Sequence, residues 1–200
     1  MLWLEAETAD GVVGLGETFY AAEAVEAYIH ANLAPIVLGM SAVDIEAVYY
    51  RTRPYVGFVA ASTELRARSA LDIALWDALG KVTGQPISVL LGGRIRSQIP
   101  VYNTCAGNQY VRGTKLGTTE NFGISSSGTD QNYEDLDRFL NDPVGLAGSL
   151  LDMGIDSMKI WPFDFAAEAT QGQFISPAEL NKALAPFEAI KKEYGDRMQI

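Results

Sequence analysis

Two hundred residues, 48% hydrophobic and 20% charged with 19 Gly and 8 Pro, hold one ordinary domain or a small domain plus part of a larger one, and exclude a disordered or collagen-like chain. Twenty-five acidic against 15 basic residues leave a formal charge of −10, which repels phosphate backbones and anionic lipid, so neither nucleic acid nor a membrane is an expected partner. A single cysteine, Cys105, excludes an intramolecular disulfide framework and a Cys-cluster zinc site, no apolar run reaches the roughly 18 residues that span a bilayer, and residues near Met1 carry no targeting signal, so the expected compartment is the cytoplasm.

Residues 2–8 are extended, Ala9-Asp10-Gly11 is a turn and residues 12–17 return as a second strand, so the chain opens on a hairpin. A two-stranded hairpin is marginal alone, which leads us to expect an earlier strand of the same sheet, missing here. A helix follows over residues 21–33 with Val25, Tyr28, Ile29 and Leu33 on one face, and Pro35 is expected to stop it at Ala34. Ser41 is the expected N-cap of the next helix, with Asp44 in the capping-box position and Ile45, Val48 and Tyr49 as the apolar face. The most regular helix runs from about Ser62 to Lys81, its apolar face built from Leu65, Leu71, Ala74, Leu75, Ala78 and Leu79, with Gly84 and Pro86 as terminators. A compact connection over residues 87–96 ends this half, and the domain boundary is expected near residue 95.

Residues 99–105 read as a strand with Pro100 at its start. The polar Gly/Ser/Thr-rich tract at 107–132 is too long for a structural connector and reads as a functional loop. A helix at 143–153, a strand at 155–161, a helix at 177–194 behind Ser176 and a strand from Met198 complete a β-α-β-α-β pattern. That alternation implies parallel strands with helical crossovers, too few to close a barrel, so the chain reads as a fragment at both ends.

In parallel α/β architectures ligands meet the carboxyl ends of strands. Thr104 and Cys105 end one strand, while Lys159, Trp161 and Asp164 end or follow the next; alternation places Lys159 and Trp161 on one face, and Tyr102 and Thr104 on one face. Lys159 is the sharpest candidate, because an ammonium in an apolar strand calls for an anion unless it snorkels to water. Cys105 has no neighbouring cation to lower its pKa and reads as a small buried hydrophobe. The single histidine, His30, reads as solvated, and no Ser-His-Asp triad can be assembled. Gly14-Leu15-Gly16-Glu17 lacks the third glycine and the strand-to-helix context of a dinucleotide loop. Gly92-Gly93 reads as a tight turn, and Asp72 and Asp77, five residues apart, as capping or interdomain salt-bridge residues.

Several segments in order resemble the mandelate racemase and muconate lactonizing enzyme branch of the enolase superfamily. They are Gly14-Leu15-Gly16-Glu17-Thr18, Leu33-Ala34-Pro35 with Leu38-Gly39, Ala70-Leu71-Asp72-Ile73-Ala74-Leu75-Trp76-Asp77 with Gly80-Lys81, Gly84-Gln85-Pro86, Leu90-Leu91-Gly92-Gly93, Val101-Tyr102-Asn103-Thr104, and Gly154 to Lys159. The resemblance implies an α+β capping domain over residues 1–95, its first strand missing, followed by the beginning of a modified (β/α)8, TIM-like barrel over 96–200. It further implies Mg2+-assisted abstraction of the α-proton of a carboxylate, with three Asp/Glu metal ligands at the ends of later barrel strands, beyond Ile200; none falls within this chain.

By the same resemblance Lys159 matches the first lysine of a Lys-x-Lys motif and is the catalytic candidate, contacting the substrate carboxylate. Trp161 replaces the second lysine, the usual base on one face, which turns the expectation from racemisation toward dehydration of an acid sugar. Thr104 matches a substrate-contacting serine position, Trp161 shares that wall, and Tyr55 lies in the cap loop that reaches over the substrate. The expected partners are a small-molecule carboxylate, a sugar acid, and further copies of the full-length form in a homo-oligomer. Three alternatives stay open: a truncated, non-catalytic homologue, a non-enzymatic carboxylate-binding protein, and a racemase or cycloisomerase of the same family.

Overall fold

The computed structural model describes residues 1–57, 61–107 and 134–200. They fall into two compact units, Met1–Ser97 and Gln98–Ile200. The tract at 107–132, expected to be a functional loop, lies outside the described residues except for Gly107.

In the first unit, β1 (Leu2–Glu7) pairs antiparallel with β2 (Val13–Thr18), in register from Leu2↔Thr18 to Glu7↔Val13. Thr8 closes the hairpin, its Oγ1 accepting from Val12 N–H at 3.0 Å. The inner face of β2 is bare backbone: a Cβ on Gly14 or Gly16 would overlap the carbonyl oxygen of Ala74 or Ala70. The Gly-x-Gly spacing therefore lets a strand lie directly on a helix whose facing residues, Ala70, Ala74 and Ala78, are themselves small.

That helix, α4, spans Thr63–Thr83 and ends at Gly84. Leu71, Ala74, Leu75 and Ala78 are buried as expected, but Leu65 is exposed and the buried face takes Ala67, Arg68 and Ala70 instead. Asp77 accepts a hydrogen bond from Leu15 N–H at 2.8 Å and pairs with Lys81 at 2.6 Å, while Lys81 Nζ donates to Val13 O at 2.8 Å. These two side chains thus satisfy backbone groups of β2 within one unit, which replaces the interdomain salt-bridge role expected of Asp77.

The helix expected to stop at Ala34 does not. α1 (Ala22–Tyr28) passes through a π turn (Ile29–Leu33) into α2 (Ala34–Val37), with Pro35 in the first turn of α2. A π turn moves each acceptor one residue back, as in Ala34 N–H to Ile29 O, and a residue without a donor is tolerated where a new turn begins. α3 (Ile45–Thr52) starts at Asp44 without a side-chain cap, so Ser41 is not the N-cap: its carbonyl accepts from Asp44 N–H at 3.2 Å. Val25, Leu33, Ile45, Val48, Leu71 and Leu75 form the core. A cavity of about 870 Å³ runs along β1 and is lined also by Ile29, Val37, Met40 and Leu71. The connection after α4 contains α5 (Ile87–Leu90) and a turn in which Gly92 and Gly93 have φ of 105° and 98°, which only glycine adopts without strain.

In the second unit, β3 (Asn103–Thr104) and β4 (Met158–Lys159) pair in parallel, Asn103↔Met158 and Thr104↔Lys159, and Gln199 bridges Ser157 in parallel on the other side. The strands are far shorter than the expected 99–105 and 155–161. A strand extends only as far as a neighbour supplies partners, and the hydrogen bonds here run from Asn103 N–H to Ser157 O and from Cys105 N–H to Lys159 O. α7 (Pro143–Asp152) starts at Asp142, whose carboxylate accepts from Gly145 N–H at 3.1 Å. α9 (Pro177–Tyr194) starts at Ser176 with a full capping box to Glu179. Two further helices, without a signal in the sequence periodicity, are α6 (Asp135–Asn141) and α8 (Asp164–Thr170). Cys105, Leu136, Phe139, Leu146, Met158, Ile190 and Met198 form the core of this unit. Among the described residues no helix is long and apolar enough to cross a membrane.

Three outcomes follow from this packing. Gly16→Ala forces α4 away from β2 and should destabilise the first unit by roughly 1–3 kcal/mol in urea unfolding. The Lys81 hydrogen bond, and after it the Leu15 N–H, hold the Asp77 carboxyl below the usual range. Its contribution is therefore present above the unfolded carboxyl value of about 4 and lost as pH falls through the lower folded value. Wild type should exceed Asp77→Asn by on the order of 1 kcal/mol or less at pH 7, and melts in strong acid should coincide. Burial, and after it the Asp135 charge, pushes the Cys105 thiol up to about 12, so at pH 8 it should resist a disulfide reagent until the protein is denatured.

Candidate functional site

The second unit sorts its strand residues onto two faces. Cys105, Met158 and Ile160 point into the core, while Thr104 and Lys159, which alternate with them, are exposed on the opposite face. The parallel register sets Thr104 directly beside Lys159, so a hydroxyl and an ammonium share one face at the carboxyl ends of two parallel strands. Lys159 is exposed at this position, the arrangement that the strand alone left open beside a buried ammonium with a counterion.

Trp161 follows at the end of β4. Its ring meets Phe139 of α6 edge to face, centroids 5.7 Å apart, and packs against the core of the unit. The Lys159 Nζ lies 5.8 Å from the Trp161 ring centroid, within the range of a cation–π contact. The chain then turns back: Asp164 N–H donates to Trp161 O at 3.2 Å, which places Asp164 in the first turn of α8. Burial raises the Asp164 carboxyl above its usual value, and the Lys159 charge opposes that rise. Thr104, Lys159, Trp161 and Asp164 therefore form one cluster. A cation with three donors beside a hydroxyl is suited to hold a carboxylate.

Tyr55 belongs to the other unit, where its side chain is fully exposed in the loop after α3. That unit also carries an arrangement that sequence reasoning missed. Arg66 stacks over Phe19 and Tyr20 at 5.5 and 5.4 Å and donates to Phe19 O at 3.0 Å, while Tyr20 and Ala21 hold φ of 76° and 48°. Two consecutive non-glycine residues in the left-handed region are costly, and the Arg66 contacts help to hold that turn. No periodicity signals such a feature. His30 is exposed in the π turn.

Among the described residues no group of three or more His, Cys, Asp or Glu side chains is gathered so as to hold a metal ion. The donor set that Mg2+ requires does not fit the cluster around Lys159, which offers one carboxylate and an ammonium that repels a cation.

Residues 1–92 match the family model of the mandelate racemase / muconate lactonizing enzyme N-terminal domain. A D-mannonate dehydratase of Novosphingobium aromaticivorans is 30% identical over 96% of this chain and 46% of its own length. In three dimensions an enolase of the mandelate racemase subgroup from Agrobacterium tumefaciens, 42% identical, superposes with a TM-score of 0.76 over 98% of this chain and 44% of that one. The muconate lactonizing enzyme of Pseudomonas putida, 25% identical, does so with a TM-score of 0.61 over the same shares. The chain thus spans under half the length of these relatives. Residues 1–92 thus belong to the mandelate racemase / muconate lactonizing enzyme N-terminal domain family, and nearly the whole length of the chain is similar to enzymes of that branch of the enolase superfamily.

Proposed function

We propose that these residues form the carboxylate-binding wall of an acid-sugar dehydratase, within a longer enzyme whose barrel begins with β3 and β4. The observation that carries this reading is the register Thr104↔Lys159 at the carboxyl ends of two parallel strands, where a hydroxyl and an ammonium face the same way. The dehydratase name of a relative aligned over 96% of this chain supports the choice of a sugar acid as substrate.

In this reading the Lys159 ammonium and the Thr104 hydroxyl donate to the two oxygens of the substrate carboxylate. Donors fixed on a strand pair strengthen as negative charge gathers on those oxygens, so they favour loss of the α-proton. Trp161 stands where a second basic side chain would serve the same face, and an indole has a donor but no basic nitrogen. Proton removal is then confined to one epimer, and the outcome is elimination of water without racemisation. The Mg2+ implied by family membership would assist by stabilising the same negative charge. The described residues offer it no ligand set, and no step here is routed through it.

In an active enzyme that carries these 200 residues, Lys159→Met should lower kcat/KM for a sugar acid such as D-mannonate by at least about 100-fold. Loss of a charge-assisted contact costs roughly 3 kcal/mol and each 1.4 kcal/mol is tenfold. Trp161→Phe should be milder, and only one epimer's α-proton should exchange with solvent deuterium. Activity indifferent to Lys159→Met, or exchange from both epimers, overturns the reading.

A further inference from the structure

The proposed role of Lys159 leaves one feature of its surroundings unused. A lysine on the exposed face of a strand has a long, freely rotating stem, and an ammonium that must meet a carboxylate in a set place needs something to hold it. The turn after β4 supplies two groups. The Trp161 ring lies 5.8 Å from Nζ, and the chain folds back through the Asp164 N–H to Trp161 O hydrogen bond so that Asp164 returns to the same neighbourhood.

This turn is held on both sides by packing. Trp161 stands edge to face on Phe139 of α6, and Phe163 packs on Phe187 of α9 with centroids 6.0 Å apart. Two aromatic residues flanking Pro162 are thus anchored to two different helices, which fixes the residue that follows them. We propose that Asp164 is a positioning residue for Lys159: its carboxylate draws the ammonium onto the Trp161 face and leaves the remaining N–H donors free for a bound carboxylate.

Burial raises the Asp164 carboxyl and the Lys159 charge lowers it, the direction expected of opposite charges placed on one turn. Glu168, one turn further along α8, is the other ionisable side chain of that helix and carries the opposite sign to Lys159. An acidic residue at a helix start is also commonly favoured by the helix dipole alone, and that simpler role requires no coupling to Lys159.

The inference rests on the reading of Lys159 as the carboxylate-binding cation, but its test uses no substrate, so the two fail separately. In the 200-residue chain, the Lys159 side-chain protons next to Nζ should show an upfield ring-current shift from Trp161 at neutral pH. The shift should fade as pH falls, with the midpoint of the Asp164 carboxyl carbon, which lies above 3.8. Asp164→Asn should abolish both the shift and its pH dependence, and Asp164→Glu should retain them. Lys159→Met should move the Asp164 midpoint upward, while Lys159→Arg should leave it near the wild-type value. A Lys159 shift unaltered in a folded Asp164→Asn chain, or an Asp164 midpoint unmoved by Lys159→Met, overturns the proposal and leaves Asp164 with the helix-dipole role.

Discussion

Two backbone hydrogen bonds organise the second unit. Asn103 N–H to Ser157 O at 2.9 Å and Cys105 N–H to Lys159 O at 3.1 Å fix the parallel register, and everything on either face of the strand pair follows from it. On one side the register seats Cys105 and Met158 against Leu136, Phe139 and Leu146; on the other it places Thr104 beside Lys159. Because side chains alternate with period two, a slip of one residue would drive Lys159 into the core and expose Met158. The apolar core therefore guards the position of the polar face. Burial of Met158 and Cys105 makes the displaced register prohibitive, since it would desolvate an ammonium among leucines.

The first unit solves a different problem with the opposite residue type. Its strand β2 sits on α4 with no side chain between them, at Gly14 and Gly16, and so forgoes the apolar burial that larger residues would bring. The compensation is polar and local. Asp77 and Lys81, four residues apart on α4, reach the Leu15 N–H and the Val13 carbonyl and also pair with each other. Replacing these groups by water would leave a close strand–helix contact held by little beyond alanine methyls.

What could be read in the sequence was whatever is encoded locally. The hairpin with its Gly11 turn, the alanine-rich periodicity of α4, and the Ser176–Glu179 capping box of α9 each carry their signal within a few residues. α6 and α8 are seven residues each, too short for a period of 3.6 to stand out, and their apolar faces have meaning only against the core they complete. The strand lengths failed for a related reason: β propensity over 99–105 says nothing about whether a neighbour offers partners to Val101 and Tyr102, which are exposed. Pro35 stops a helix that continues in α turns, but the chain passes through a π turn just before it, which no local signal announces.

The candidate site shows the same division. That Lys159 and Thr104 end neighbouring strands on chemically different faces from Cys105 is legible from alternation alone. That Asp164 follows the strand ending in Lys159 is legible too, but the turn that brings it back is not, because four residues, Pro162 among them, lie between and their path depends on where Trp161 and Phe163 are anchored. Phe139 and Phe187, on helices 22 residues before and 24 residues after Trp161 and Phe163 respectively, supply those anchors. Trp161 thus has a structural part beside the chemical one proposed for it. An indole large enough to reach α6 holds the turn and lies beside the ammonium, which a lysine at the same position would repel. In the proposed dehydratase, Trp161 in place of a base removes one proton-transfer route and at the same step steadies the Lys159 cation.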